Sequence, residues 1–299
     1  MILKLIKQVY YLSRYIMASM FCLLFRHSYN IQILDREQTV KKILKSNCSV
    51  CRFGDGEFGI IQNKTSTFQD ANALLGKRLY ECLENKNSNV LVCLPSSLID
   101  DKQMNYSARR FWREYIFKNK SFLSGISKDR VFGDSLFTRF YMDRKDKYAT
   151  FQYVSLLKKI WNNRHLLIVE GFGSRLGVGN DLFDNALSIQ RILCPSTNAY
   201  AKYSEILTRT EEYCYKNKNK CVLVLCALGM TATVLAYDLS MGGQQAIDIG
   251  HIDVEYCWFK MGATEKCLIP SKTVNECGVN TVLPIENELY NKQIVCKIS

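Results

Sequence analysis

Proline is scarce in this 299-residue chain, which has four, and no Ser/Pro-rich or Gly/Ser-rich stretch divides it. Flexible connections between domains are usually rich in such residues, so their absence argues against two linked domains. The hydrophobic fraction of 47% is sufficient for a sizeable core. We therefore expect one domain over residues 35–299, preceded by a separate segment over residues 1–30.

Long runs of Lys or Arg are also absent, although the formal net charge is +12. The short basic clusters at 144–147 and 216–220 are typical of a solvated surface. Because no groove-reading or base-stacking module accompanies the charge, we expect no nucleic-acid partner. An anionic membrane surface or an anionic substrate remains compatible with it.

The thirteen cysteines do not show the paired spacing that is typical of a zinc site. The pair Cys48-x-x-Cys51 has no second pair after it and no helix start inside it, which argues against a metal or redox role. The total is odd, and several cysteines lie within apolar runs: Cys93, Cys221, Cys226 and Cys257. We expect buried, reduced thiols rather than disulfides.

The first 30 residues contain no uncharged run long enough to cross a bilayer, since Arg14 interrupts the segment and only residues 15–25 follow without charge. No clear cleavage site of small residues follows, which argues against a signal peptide. On a helical wheel the basic and polar side chains share about one third of the circumference: Lys4, Lys7, Gln8, Arg14 and Arg26. This pattern predicts a basic amphipathic helix that lies either in an anionic membrane interface or against the domain or another subunit.

After residue 35, short apolar runs alternate with stretches of helical periodicity, which is typical of strands covered by helices on both faces. Strands are predicted at 49–53, 90–94, 166–170, 191–194, 222–227 and 246–249. Helices are predicted at 36–45, 71–84, 150–162, 200–216 and 231–241. The prediction is an α/β fold with a mostly parallel sheet, in which ligands bind outside the carboxyl ends of the strands.

Two carboxylates, Asp55 and Glu57, follow the first of these strands. Glycines on both sides of Asp55 allow a sharp turn and the close approach of a bulky ligand. Carboxylate oxygens favour hard cations such as Mg²⁺ or Mn²⁺, which keep open positions for water and phosphate. We interpret the pair as a clamp for a metal and a diphosphate, with a solvated turn as the alternative.

A glycine-rich loop follows the strand at 166–170. The loop can expose several backbone N–H groups, and the planar guanidinium group of Arg175 can donate hydrogen bonds to phosphate oxygens. The loop matches neither a dinucleotide fingerprint nor a Walker motif. We expect an anion cradle, with a flexible surface loop as the alternative, and its candidate residues are Gly171, Gly173, Ser174, Arg175, Gly179, Asn180 and Asp181.

Thr231 follows the strand at 222–227, where a helix N-terminus can hold an anion or where the threonine merely caps the helix. His251, Asp253 and Glu255 follow the strand at 246–249. One of these carboxylates is a candidate general base, and His251 is a candidate ligand of the metal or diphosphate. A purely structural histidine–carboxylate pair is the alternative.

A cluster at 132–143 mixes polar groups with aromatic rings, as sugar and base sites do. Asp134 and Arg139 are its candidates for binding substrate hydroxyls or phosphate. A packed loop containing an ion pair is the alternative.

Five ordered blocks together resemble the GT-D class of bacterial glycosyltransferases, which are metal-dependent enzymes associated with glycosylation of surface adhesins. The blocks are Arg52-Phe-Gly-Asp-Gly-Glu57, Gly133-Asp-Ser-x-x-Thr-Arg139, Glu170-Gly-x-x-Ser-Arg-x-Gly-x-Gly-Asn-Asp181, Ala227-Leu-Gly-x-Thr-Ala-Thr233 and Asp248-Ile-Gly-His-Ile-Asp-x-Glu255. The resemblance starts near residue 35. Phe140 departs from it, since a proline is expected there.

The resemblance implies a Rossmann-like domain that binds a UDP-sugar through Mn²⁺ or Mg²⁺ at Asp55 and Glu57. It also implies transfer of the sugar to a hydroxyl of a growing surface glycan, with the His251-to-Glu255 block supporting catalysis. We expect Arg52, Gly54, Ser174 and Arg175 at the nucleotide, and Glu255 or else Asp253 as the base.

The expected location is the cytoplasm at the inner membrane face, with a nucleotide-sugar donor (a UDP-hexose), a glycan acceptor and a second copy of the chain as candidate partners. Two alternatives stay open. One is a nucleotide-sugar hydrolase or another phosphate-handling enzyme that uses the same clamp, and the other is a noncatalytic subunit of a glycosylation complex.

Overall fold

The computed structural model describes residues 2–66, 68–278 and 286–299. The strands in these ranges are β1 (Gln32–Ile33), β2 (Ser49–Arg52), β3 (Val90–Leu94), β4 (Val131–Asp134), β5 (His165–Gly171), β6 (Ser188–Cys194), β7 (Leu223–Ala227), β8 (Ala246–Asp248) and β9 (Ile294–Lys297). They form one sheet in the order β1-β4-β3-β2-β8-β7-β5-β6-β9, and the neighbouring strands pair in parallel.

Helices connect most of these strands. They are α1 (Ile2–Phe25), α2 (Arg36–Ser46), α3 (Asp55–Ile61), α4 (Ala73–Glu84), α5 (Tyr106–Lys118), α6 (Lys120–Ser124), α7 (Thr150–Leu157), α8 (Tyr203–Lys216), α9 (Met230–Met241), α10 (Ile252–Lys260) and α11 (Glu288–Gln293).

Two hydrophobic cores lie on opposite faces of the sheet, because successive side chains of a strand point to opposite sides. Val92 and Leu94 of β3 belong to the core that contains buried residues of α4, α8 and α9. Leu91 and Cys93 of the same strand belong to the core that contains buried residues of α2, α7 and α10. The predicted α/β fold with helices on both faces is therefore confirmed.

The six predicted strands correspond to β2, β3, β5, β6, β7 and β8, and the five predicted helices to α2, α4, α7, α8 and α9. The edge strands β1 and β9, strand β4 and helices α3, α5, α6, α10 and α11 were not predicted. Strand β4 contains Gly133, which weakens a strand signal. A Cβ atom at Gly133 would lie 2.5 Å from Sγ of Cys93, so close strand packing requires the glycine.

The cysteines are free, and Cys93, Cys226 and Cys257 are buried as expected. The expectation was wrong for Cys221, which is exposed. It lies just before β7 with a φ angle of 49°, in a turn rather than in the strand itself.

Helix α1 packs along α5, and the described part of its polar face points toward the domain. Ala18 and Cys22 are buried at this contact, and Nη2 of Arg14 lies 3.2 Å from Oε2 of Glu114. The side chains of Lys4, Lys7 and Gln8 lie outside the described ones. Among the described helices, none is long and apolar enough to span a bilayer.

Asp101 forms ion pairs with Arg26, which directly follows α1, and with Arg113 of α5. Its Oδ2 atom accepts hydrogen bonds from Nη2 of Arg26 at 2.8 Å and from Nε of Arg113 at 2.7 Å. Burial raises the pKa of this carboxyl group, but the two guanidinium groups outweigh burial and lower the pKa to about 2. The buried carboxylate is therefore charged and paired at neutral pH.

We predict that Asp101→Asn lowers the free energy of unfolding by about 3 kcal/mol, because both buried guanidinium groups lose their counter-charge. Since the folded-state pKa of Asp101 is depressed, the stabilisation is complete above about pH 4 and is lost as the pH falls toward 2. Urea unfolding of both proteins across this range measures the effect.

The control is Glu37→Gln, which removes an exposed pair with Lys41. It is expected to change the unfolding free energy by less than about 1 kcal/mol. Equal stability losses for the two variants would contradict a special role of Asp101.

Candidate active site

A cavity of about 580 Å³ opens at the carboxyl edge of the sheet. Its lining includes residues that directly follow β2, β4, β5, β6, β7 and β8, together with one face of α5. This is where ligands bind in open parallel sheets. The site is therefore assembled from sequence-distant segments that the strands bring to one edge.

Asp55 and Glu57 line this cavity from the first turn of α3, rather than from a turn without helical structure. Oε2 of Glu57 accepts a hydrogen bond from the backbone N–H of Gly54 at 2.7 Å, which caps the helix. Asp55 is exposed at the first helical position. Burial and the neighbouring Asp248 raise the pKa of Glu57 to about 7, so negative charge is incompletely balanced here.

The donor set fits a hard divalent cation that keeps open coordination positions. No group of three His, Cys, Asp or Glu side chains is arranged to hold a metal within the described ranges, so an all-protein cage is not provided. Two carboxylates with further oxygens from a bound phosphate match the way Mg²⁺ is usually held at phosphate sites. The residues that would hold such an ion are Asp55 and Glu57.

Arg52 lines the cavity and is fixed by Asp248 at the end of β8. Its Nη2 atom donates to Oδ1 of Asp248 at 2.9 Å, and its Nη1 atom donates to Oγ1 of Thr138 at 2.9 Å. Thr233 donates to the other carboxylate oxygen of Asp248 at 3.3 Å. Asp248 was not among the predicted site residues, although it is the first residue of the fifth sequence block.

The glycine-rich loop contributes only part of its length to the cavity. Gly171 and Ser174 line it, while Gly173, Arg175 and residues 179–181 do not. Nη1 of Arg175 donates to the carbonyl oxygen of Ser271 at 2.6 Å, and the side chain of Asn180 donates to Asp253 at 2.7 Å.

Asp181 also lies away from the cavity. Its Oδ1 atom accepts a hydrogen bond from the hydroxyl of Tyr256 at 2.9 Å and lies 3.0 Å from Nζ of Lys260. This placement does not support the expected contact between Asp181 and a nucleotide, because the carboxylate already contacts Tyr256 and Lys260 of α10.

Asp134 and Thr231 are both buried and lie outside the cavity lining. Oδ1 of Asp134 accepts hydrogen bonds from the backbone N–H groups of Ser96 at 3.0 Å and Leu136 at 2.9 Å. Asp134 therefore holds two loops, and its expected role in binding substrate stays a prediction. Arg139, its predicted companion, does line the cavity.

The three catalytic candidates separate into different environments. His251, which precedes α10, lines the cavity, as does Asp253. Glu255 is buried outside the lining, and its Oε2 atom accepts from the backbone N–H groups of Tyr141 at 2.7 Å and Met142 at 2.9 Å. This oxygen anchors a loop, while Oε1 of Glu255 has no hydrogen-bond partner among the described residues and burial raises the pKa of the carboxyl group to about 7, so the Glu255 base stays a prediction.

Asp253 is held by three donors. Its Oδ1 atom accepts from the backbone N–H of Gly177 at 2.8 Å and from Asn180, and its Oδ2 atom accepts from Nζ of Lys272 at 2.5 Å. Asp253 therefore ties the glycine-rich loop to α10.

Two acids that sequence reasoning missed, Asp143 and Glu276, also line the cavity. Arg139 joins them, with Nη2 2.7 Å from Oε1 of Glu276 and Nε 3.4 Å from Oδ2 of Asp143. Burial lowers the pKa of His251, while Glu276 opposes that effect. Asp143 was inside the motif read as a sugar site, but Glu276 lies in a segment without periodic pattern.

Comparison with known proteins gives consistent results. The family description "Glycosyltransferase GT-D fold" matches residues 50–277. The glycosyltransferase GlyD of Streptococcus pneumoniae is 37% identical over 270 residues, which cover 90% of this chain and 33% of that protein. The probable glycosyl transferase Gly of Streptococcus gordonii is 36% identical over 271 residues, which cover 90% and 39%, respectively. The chain thus spans less than half the length of these relatives.

Solved structures are similar over nearly the whole chain. A domain of unknown function 1792, described as having a distinct glycosyltransferase fold, superposes with a TM-score of 0.87 at 39% identity, covering 92% of this chain and 98% of that one. A glycosyltransferase of the same domain type from Streptococcus sanguinis superposes with a TM-score of 0.85 at 37% identity, covering 90% and 100%.

We predict that Gly250→Ala destabilises the fold. The new Cβ atom would lie 1.8 Å from Nη2 of Arg52, which must leave Asp248 to make room. The φ angle of 45° adds backbone strain, and the combined cost is about 2–4 kcal/mol. Thermal unfolding measures the effect.

Gly262→Ala is the matched control, since Gly262 has a φ angle of 63° and no neighbouring atom within 4 Å of the new Cβ. It isolates the backbone strain of about 1–2 kcal/mol. Equal effects of the two substitutions would argue against the Arg52–Gly250 contact.

Proposed function

The chain belongs to the family of glycosyltransferases with the GT-D fold, and on this premise we propose that it transfers a sugar from a UDP-hexose to a hydroxyl of a growing surface glycan. The observation that carries the proposal is the placement of Asp55 and Glu57 beside Arg52 in one cavity at the carboxyl edge of the sheet. We place the reaction in the cytoplasm at the inner membrane face.

The donor diphosphate is proposed to lie between the first turn of α3 and the loop after β5. Asp55 and Glu57 would hold Mn²⁺ or Mg²⁺, which would offset the charge that develops on the departing diphosphate. The backbone at Gly171 and the hydroxyl of Ser174 offer donors to phosphate oxygens from the opposite side. Arg52 adds positive charge while Asp248 fixes its position.

His251 is proposed to accept the proton of the acceptor hydroxyl. Its lowered pKa leaves the imidazole neutral, and therefore able to accept a proton, at neutral pH. Glu276 lies close enough to interact electrostatically with the imidazolium that forms. Glu255 and Asp253 act as positioning residues that hold the loops around this group.

The direct test incubates the purified protein with a panel of UDP-sugars and Mn²⁺, with and without glycan acceptors, and identifies products by mass spectrometry. We expect an acceptor product one hexose heavier together with released UDP. Free sugar as the sole product, undiverted by any acceptor, would favour a hydrolase. No thermal shift with UDP and Mn²⁺ would favour a noncatalytic subunit.

We predict that Asp55→Asn and Glu57→Gln each lower kcat/KM for transfer by about a hundredfold or more, because the leaving diphosphate loses its charge stabilisation. Both variants should also lose the thermal shift produced by UDP with Mn²⁺. Steady-state kinetics and melting curves provide the measurements.

The control is Glu288→Gln, which removes an exposed acid paired with Lys292 in α11 and should retain full activity. If Asp55→Asn retained metal-dependent transfer at the wild-type rate, the assignment of the clamp would be wrong.

We predict that His251→Ala lowers kcat by at least about a hundredfold with little change in donor affinity, since it removes only the proton acceptor. In the wild-type enzyme the rate should fall as the pH drops through the pKa of His251, at a value below the usual 6.5 or so. The pH profile of kcat/KM records this acidic limb.

His165→Ala is the matched control, because His165 is the first residue of β5 and lies at its amino end, away from the cavity lining. Wild-type rates are expected for it at every pH. An unchanged acidic limb in the residual activity of His251→Ala would assign the proton transfer to another group.

A further inference from the structure

Helix α1 has an exposed apolar arc opposite its contact with α5. At 100° per residue, the large apolar side chains on this arc fall within less than half of the circumference. Their exposed fractions range from 49% to 73%, and they are Ile6, Val9, Leu12, Ile16, Met17, Met20, Leu23 and Leu24. Ser13 shares the arc, but its hydroxyl donates to the carbonyl oxygen of Tyr10 at 2.9 Å.

This arrangement is the reverse of an ordinary surface helix, which buries its apolar side and exposes its charges. Arg14 is paired with Glu114, and Arg26 with Asp101, so the described basic side chains of this segment face the protein. A continuous exposed apolar surface of this kind usually marks a contact with a partner or a membrane. We propose that the apolar arc of α1 inserts into the interface of a bilayer containing anionic lipid.

The charges beside the arc favour an anionic lipid surface over a second copy of the chain. Lys118 and Lys120 are exposed near the end of α5, and Nζ of Lys120 lies 5.6 Å from the ring centroid of Phe21. The guanidinium of Arg110 lies 5.9 Å from the ring centroid of Tyr11. Cations and aromatic rings flanking an apolar helix face match the headgroup region of anionic bilayers.

A symmetric dimer through the same face would instead bring these like charges of two copies together. The whole chain also carries a net charge of +12, which opposes self-association and favours an anionic surface. The helix lies before residue 50, where the match to the family model begins.

Helix α5 links the apolar arc to the cavity. One face of α5 holds α1 through residues such as Arg113 and Glu114, and another face lines the cavity through Ser107, Phe111 and Trp112. Insertion of α1 therefore brings the cavity close to the membrane, where a lipid-linked acceptor would be presented. This last consequence rests on the proposed function, whereas membrane binding itself does not.

Binding of the full chain is tested by sedimentation with phosphatidylcholine vesicles, with and without phosphatidylglycerol. We expect strong sedimentation only with the anionic vesicles. The double variant Ile16→Glu with Leu23→Glu should weaken binding by more than about tenfold, because it places charges at the centre of the inserted arc. Lys118→Glu with Lys120→Glu should weaken binding to the anionic vesicles and make it less sensitive to salt.

The matched control is Phe151→Glu with Leu289→Glu, since both residues are 69% exposed and lie in α7 and α11. It should bind vesicles like the wild type, and melting curves check that all variants are folded. The proposal is overturned if the wild type does not bind anionic vesicles, or if Ile16→Glu with Leu23→Glu binds them equally well. A dimer that this variant dissociates, in a protein that ignores vesicles, would identify a contact between copies instead. Vesicle binding without any sugar transfer would leave this inference standing and refute only the proposed function.

Discussion

The ion pair between Arg52 and Asp248 is the contact on which the geometry of the site depends. It joins the carboxyl ends of β2 and β8, which are neighbours in the middle of the sheet. Both α3, which carries the paired acids, and α10, which follows His251, begin a few residues beyond this pair. Breaking it would leave a charge uncompensated at a buried position, which proteins rarely tolerate.

The composition of the site was largely predictable because parallel strands bring their carboxyl ends to one edge. Asp55, Glu57, His251 and Asp253 were selected as residues that follow predicted strands, and all of them line the same cavity. That inference needs only the strand positions and the parallel direction, both of which follow from the pattern of apolar residues. It does not need the order of the strands.

The direction in which a polar side chain points was not predictable. Glu255 lies in the same motif as His251, yet its carboxylate accepts two backbone N–H groups from another loop. Asp134 does the same for the loop at Ser96. Buried backbone donors must find acceptors, and an acid in a sequence block can serve that need as readily as catalysis. Glu276 was not among the predicted site residues, because its segment has no periodic apolar pattern that would mark it as part of a helix or strand.

The acidic residues at and near the cavity fall into two groups, according to whether a basic side chain of the protein neutralises them. Glu170 is paired with Arg191 at 2.6 Å, and Asp253 with Lys272, so each is neutralised within the protein. Asp55 and Glu57 form no such ion pair among the described residues, and the positive charge of Arg52 only partly offsets the burial that raises the pKa of Glu57. Like-charge proximity and burial both raise the free energy of ionised Glu57. The proposed cation would relieve that cost, which is the physical reason to assign it to these two residues.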